Sequence, residues 1–152
     1  EEGLAYFRGF NEKKEAYFQF MEGFYEKLVS SEPTAAHWDV KDIILRKNWG
    51  LISENIDFLH QKTGIKPLSR HYGGSFWMYE NVSEEDLRNI EFVLTIGLST
   101  DYSGFLAYYK AINPGGRIFS ISFDPLSYPE NMADFWVKED LREVLRFLNR
   151  EL

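Results

Sequence analysis

A chain of 152 residues that is 44% hydrophobic and 17% aromatic holds enough apolar material for one core, and domains of this size bury roughly 70% of the surface their unfolded chains expose. The absence of cysteine excludes disulfides and thiolate zinc sites and fits a reducing, cytoplasmic setting. A net charge of −7 without a basic stripe sets the surface against a phosphate backbone, and no apolar run approaches the ~18 residues of a membrane span. Neither nucleic acid nor a membrane is therefore an expected partner. The chain opens on two glutamates rather than a methionine, with no signal-peptide pattern, so a processed or partial sequence is one expectation.

Taken in chain order, Tyr17, Phe20, Met21, Phe24 and Leu28 recur at three- and four-residue steps and predict an amphipathic helix over 11–30. The next segment, "SEPTAAHWDVKDIILRKN", predicts a second helix with Pro33 in its first turn and His37, Val40 and Ile44 on one face. After Asn48 the period changes. "WGLIS", "IEFVLTIG", "GRIFSISFD" and "ADFWV" are short runs rich in branched and aromatic residues that read as buried strands. "SEEDLRNI", "SGFLAYYKAI" and "KEDLREVLRFLNREL" read as the helices between and after them. This alternation predicts a doubly wound, mainly parallel Rossmann-like α/β sheet with helices on both faces, in one domain over 1–152.

In such sheets ligands bind beyond the carboxyl ends of the strands, so the polar residues there are the ones to inspect. In "LTIGLSTDYSG", Gly97 permits close approach to the backbone, while Ser99 and the following helix amides can donate to phosphate. A glycine-serine turn also simply caps a helix. The stretch "GLISENIDFLHQKTG" concentrates Glu54, Asn55, Asp57 and His60 within seven residues. Asn55 and Asp57, two apart, share one face of an extended segment, where amide plus carboxylate can read a carboxamide and an adjacent hydroxyl. Asp57 and His60 serve equally well as a helix cap and a local backbone partner. His71, between a short extended stretch and two glycines, is a candidate general base, because a reference pKa of about 6.5 suits proton transfer near neutrality.

These pieces, in this order, resemble the sirtuin family of NAD-dependent protein deacylases. "SENIDFLHQKTG" is similar to the family's T-Q-N-I-D-x-L-H-x-x-A-G, its most specific signature. "EPTAAHWDV" resembles P-N-x-x-H-x-x-L, and "GLAYFRGF" resembles the tail of G-I-P-D-F-R. "IGLST" stands where the family has G-T-S, and "FWVKEDLREVL" resembles its closing strand, loop and helix. The resemblance runs from Gly3 to the C-terminus. It implies NAD as the cofactor, an acylated protein or peptide as substrate, and nicotinamide, deacylated lysine and O-acyl-ADP-ribose as products. By position, Phe7 and Arg8 belong to the loop over the cofactor, Asn55 reaches the ribose, and Asp57 reaches the nicotinamide carboxamide. Gly97 and Ser99 hold the phosphates or nearby ribose, and Asp140 and Leu141 lie near the adenine. His71 matches the catalytic histidine that deprotonates a ribose hydroxyl, with Asn55 and Asp57 beside the reacting bond. His60 matches a scaffold position.

Several departures accompany the resemblance. The family's first strand and its G-A-G-x-S loop have no counterpart after Glu1, so an upstream segment or another element is expected to fill the middle of the sheet. Tyr6 replaces the aspartate of P-D-F-R, and Tyr72 separates His71 from Gly73. The four zinc cysteines are missing and His71 lies close to "FWMYENVSEEDL", so the zinc module is expected to be absent. Glu54 replaces the family's glutamine. At ~4 Å and an effective dielectric of ~20, a carboxylate would stabilise a ribosyl cation by about 4 kcal/mol before desolvation, in the manner of glycosidase carboxylates. Glycohydrolysis of NAD, ADP-ribosyl transfer and non-catalytic NAD or ADP-ribose binding are the alternative activities; equally, Glu54 can point to solvent and have no role.

Overall fold

A computed structural model describes residues 14–55, 57–71, 77–79, 82–98, 100–101, 103–123 and 133–152, with backbone alone for 69–71 and 77–79. The helix expected at the start is α1, Lys14–Ser30, followed by α2, Ala35–Lys47. Pro33 lies outside α2, because Thr34 is its N-cap: the Nδ1 of His37 accepts the Thr34 N–H at 3.2 Å. At its far end, Asn48 adopts the left-handed conformation (φ 53°) that commonly stops a helix. A single short helix, α3 (Leu59–Lys62), then leads to β1 (Ser69–His71), which pairs antiparallel with β2 (Trp77–Tyr79).

The main sheet contains β3 (Phe92–Ile96), β4 (Arg117–Ile121) and β5 (Phe135–Val137), in that order and all parallel. The crossovers and flanks carry α4 (Glu84–Asn89), α5 (Phe105–Ile112) and α6 (Leu141–Glu151). Ser83 caps α4 in a reciprocal box with Asp86, its hydroxyl accepting the Asp86 N–H at 3.1 Å. Alternation along the strands divides the core in two. Val93 and Ile118 join Leu87, Phe105, Leu106 and Tyr109 of α4 and α5, whereas Ile96 joins Val40, Ile43 and Leu145 of α2 and α6. Each fully buried aliphatic side chain of this kind contributes roughly 1.5–3 kcal/mol. The doubly wound, parallel α/β reading therefore holds, with helices on both faces.

Two strand expectations are corrected. Residues 49–53 form no strand among the described residues. The Leu51 carbonyl accepts the Leu68 N–H at 2.7 Å, which ties it to the loop before β1. A ladder needs a neighbour about 4.8 Å away, and here the segment and β3 both line one cavity and do not pair with each other. The apolar run 133–137 does form β5, yet its three side chains are exposed, since it is the last strand of the described sheet. Phe135 stacks on Phe119 with ring centroids 4.9 Å apart. Asp134 fastens this edge: its Oδ2 accepts the Ile118 N–H at 2.7 Å and the Lys110 ammonium at 3.1 Å, which hold its carboxyl below the usual range.

The turn from α5 to β4 is tightly packed. A Cβ on Gly116 would strike the hydroxyl and Cζ of Tyr109, whose ring is completely buried and whose hydroxyl donates to the Ile90 carbonyl at 2.9 Å. Gly116→Ala should therefore cost about 1–3 kcal/mol in chemical denaturation, as overpacking does. Gly23, inside α1, has no atom within 4 Å of the added carbon, so Gly23→Ala should raise stability by about 0.5–1 kcal/mol. Equal effects of the two substitutions would contradict this packing.

Candidate functional site

A cavity of about 770 Å³, within the range of small-molecule sites, runs along the whole of β3, from Glu91 to Leu98, and is lined also by residues 48–55. Much of its wall is apolar, from Val40, Ile43, Leu87, Phe105, Leu106 and Leu145. Its polar end gathers Ser53, Glu54, Asn55, His60, Gly97 and Asp101, residues that follow either the segment 49–53 or β3. A polar group in such a setting requires a partner or carries a desolvation cost of about 1–3 kcal/mol.

Glu54 is fixed from outside its own segment. Its Oε1 accepts the Ser103 backbone N–H at 3.1 Å and also the Ser103 hydroxyl. The solvent-facing alternative for Glu54 is thereby replaced by a bridge from the 50s segment to the start of α5. Oε2 is buried and has no hydrogen-bond partner among the described residues. Asp101 repeats the pattern: Oδ2 accepts the N–H groups of Leu106 and Ala107, each at 3.1 Å, while Oδ1 is buried without a partner among the described residues. Ser103 Oγ accepts the Phe105 N–H at 3.2 Å.

These contacts correct the expectation that the α5 amides donate to phosphate. The first three N–H groups of α5 are already satisfied by Ser103 and Asp101, the ordinary capping solution to a helix start. Two carboxylates at that end would also repel a phosphate. The chemistry left at this end of the cavity is acceptance from hydroxyl or amide donors and attraction of positive charge.

The remaining expected residues fall into three groups. Asn55, exposed, and Gly97 line the same cavity as Glu54, and Leu141 joins them. Gly97 has φ +65°, a conformation that favours glycine, and a Cβ there would lie 3.1 Å from the Leu141 side chain, which would have to give by a few tenths of an ångström. Asp57 and Asp140 do not line the cavity. Asp57 Oδ1 caps α3 by accepting the Leu59 N–H at 3.0 Å, just before the left-handed Phe58 (φ 56°). Asp140 caps α6 through the Arg142 N–H at 2.8 Å, and bonds from the Arg142 guanidinium and amide lower its pKa to about 2. Phe7, Arg8 and Ser99 lie outside the described residues, as does the His71 side chain, whose backbone is in β1.

Sequence reasoning passed over Asp101 and Ser103. The available signal was an aspartate and a serine just ahead of an apolar helical run, a capping pattern that gives no hint of a bridge to residue 54.

His60 packs against His37, ring centroids 4.9 Å apart, and its buried Nδ1 has no partner among the described residues. Burial and the neighbouring His37 lower its pKa, against an opposing pull from Asp57. The unfolded chain, with histidine near 6.5, then binds more protons through that window. Stability from neutral His60 is complete above about pH 6.5 and is lost as pH falls through the folded value. His60→Gln should lose less stability than the parent between pH 7.5 and 5.5 in urea titrations. Identical losses would remove His60 from the account.

No protein-family profile matches the chain, and a comparison with curated proteins found no match in sequence. Solved structures are similar in fold. A Sir2 homologue mutant in complex with 2′-O-acetyl ADP-ribose is 17% identical with a TM-score of 0.71, covering 98% of this chain and 78% of its own. Sir2Tm bound to a propionylated peptide is 15% identical at 0.68, covering 99% and 84%. Sir2 with p53 peptide and NAD+ is 15% identical at 0.64, covering 93% and 79%. The parallel sheet between two helical layers thus follows a known architecture, and the chain has the sirtuin fold.

Proposed function

We propose that this chain is an NAD-dependent protein-lysine deacylase of sirtuin type, consuming NAD as a substrate. The observation that carries the reading is the meeting of Glu54, Asn55, Gly97 and Leu141, residues implied by position to contact NAD, around one cavity beside β3. The complexes of the fold relatives, with NAD+, acetyl ADP-ribose and acylated peptide, support the same ligands. The residues fit such a guest: buried carboxylate oxygens of Glu54 and Asp101 lack donors among the described residues, and a ribose or carboxamide supplies them.

In this reading Asn55 holds the ribose and Asp57, through the carboxylate oxygen not needed by Leu59, the nicotinamide carboxamide. Gly97 lets the dinucleotide approach the backbone, Ser99 binds phosphate or ribose, and Asp140 and Leu141 flank the adenine. Phe7 and Arg8 cover the cofactor. The acyl oxygen of the bound lysine attacks C1′ as nicotinamide leaves, and His71 takes a proton from the ribose hydroxyl that then attacks the acyl carbon.

Calorimetric titration with NAD should show saturable binding, weakened about tenfold or more by Asn55→Ala. With an acetyl-lysine peptide, nicotinamide and O-acetyl-ADP-ribose should appear. His71→Ala should slow turnover by about 10²–10⁴ with NAD affinity retained, as loss of a general base does. Binding without turnover under any condition would leave a non-catalytic NAD or ADP-ribose module, and absence of binding would overturn the reading.

A further inference from the structure

We infer that β5 is a docking edge for a second copy of this chain, the two β5 strands pairing antiparallel about a twofold axis at Trp136 so that one sheet runs through the dimer. The inference does not rest on the deacylase reading, because β5 lies at the opposite edge of the sheet from β3 and its cavity.

Backbone and side chains both point to this edge. β5 is the last strand of the described sheet and pairs there with β4 alone. The Val137 carbonyl accepts the Ser122 N–H at 3.2 Å, so Val137 turns its main chain toward β4. Successive residues of a strand turn to opposite sides, so Phe135 shares that direction and Trp136 presents its N–H and C=O outward. Phe123, Phe135, Trp136 and Val137, all near this edge, are between 44% and 55% exposed. No proline or charge interrupts Phe135–Val137 to guard the edge. The rings are already held: Phe135 stacks on Phe119, and Trp136 Nε1 donates to the Ser122 carbonyl at 3.2 Å and hydroxyl at 3.1 Å. Little side-chain ordering therefore remains to oppose association.

Charge identifies the occupant. The run Asp134-Phe135-Trp136-Val137-Lys138 is complementary to its own reverse, and identical edges related by a twofold axis can pair antiparallel. With Trp136 opposite its own copy, each Trp136 N–H donates to the other's carbonyl. Phe135 then faces Val137 of the second copy, and Asp134 faces Lys138 of the second copy. Lys138 is exposed and has no ion pair among the described residues. Asp134, although bonded to Lys110, keeps 35% of its side chain exposed for a second cation. Phe135 and Val137 of both copies bury one another on one face, while the tryptophans and the two charge pairs share the other. Sliding the pairing by two residues sets a charge against Trp136 and loses both ion pairs. Pairing also uses up the outer edge of each β5, so assembly through this surface closes at two chains.

Sedimentation equilibrium of the full chain from ~1 to ~200 μM tests the pairing, because small interfaces dissociate in that range. The average mass should climb from 17.9 kDa toward twice that value and level off there. Val137→Glu and Lys138→Glu change exposed side chains only. Each should raise the dissociation constant about tenfold with far-ultraviolet circular dichroism unchanged, since symmetry places every substitution in the interface twice. A monomer at every concentration would overturn the inference and leave this edge to a partner other than a second copy. So would a dimer whose dissociation neither substitution moves, or a mass that grows past two chains.

Discussion

The parallel pairing of β3 with β4, Phe92 to Ile96 against Arg117 to Ile121, is the constraint on which the rest of the structure depends. Parallel strands cannot be joined by a tight turn, so α5 must cross between them, and its start must lie beyond the carboxyl end of β3. The same pairing places Val93 with Ile118 against α4 and α5, and sends Ile96 toward α2 and α6. Within the buried layer, Thr95 and Ser120 meet at 2.6 Å and satisfy each other's hydroxyls. Because the crossover begins beside the segment 49–53, Ser103 can reach Glu54. The site is thus a consequence of the connection that parallel geometry demands.

That connection also sets the electrostatics of the cavity. A helix start normally offers free N–H groups to an anion, but here Asp101 and Ser103 occupy them and Glu54 is fastened alongside. The cavity consequently has an apolar wall from two helical layers and one end rich in carboxylate oxygen. Gly97, with its left-handed backbone against Leu141, keeps the strand end open to a ligand lying close to the main chain.

Much of this architecture was legible from the residues. The change from three- and four-residue spacing before Asn48 to short branched runs after it marked the move from helices to alternating strands and helices. The motif around Asn55 and the glycine after Ile96 identified two of the segments that line the cavity. Other features were hidden because they depend on partners distant in sequence. Leu51 and Ile52 have the composition of a strand, yet strand formation needs a neighbour, and none pairs with them among the described residues. Phe58, between Asp57 and Leu59, is left-handed, a conformation that sequence composition does not forecast for a phenylalanine. The bridge from Ser103 to Glu54 spans 49 positions and leaves no local pattern.

The central claim is that the cavity beside β3, at its carboxylate-lined end, is where NAD binds. Amide hydrogen exchange of the full chain with and without saturating NAD tests it most directly, because it reports position and does not require turnover. The account predicts slowed exchange concentrated in 51–57 and 97–106, with smaller changes along the outer parts of α1 and the β1–β2 pair. Protection confined to those outer elements, or no change around Glu54 and Asp101 at NAD saturation, would contradict it.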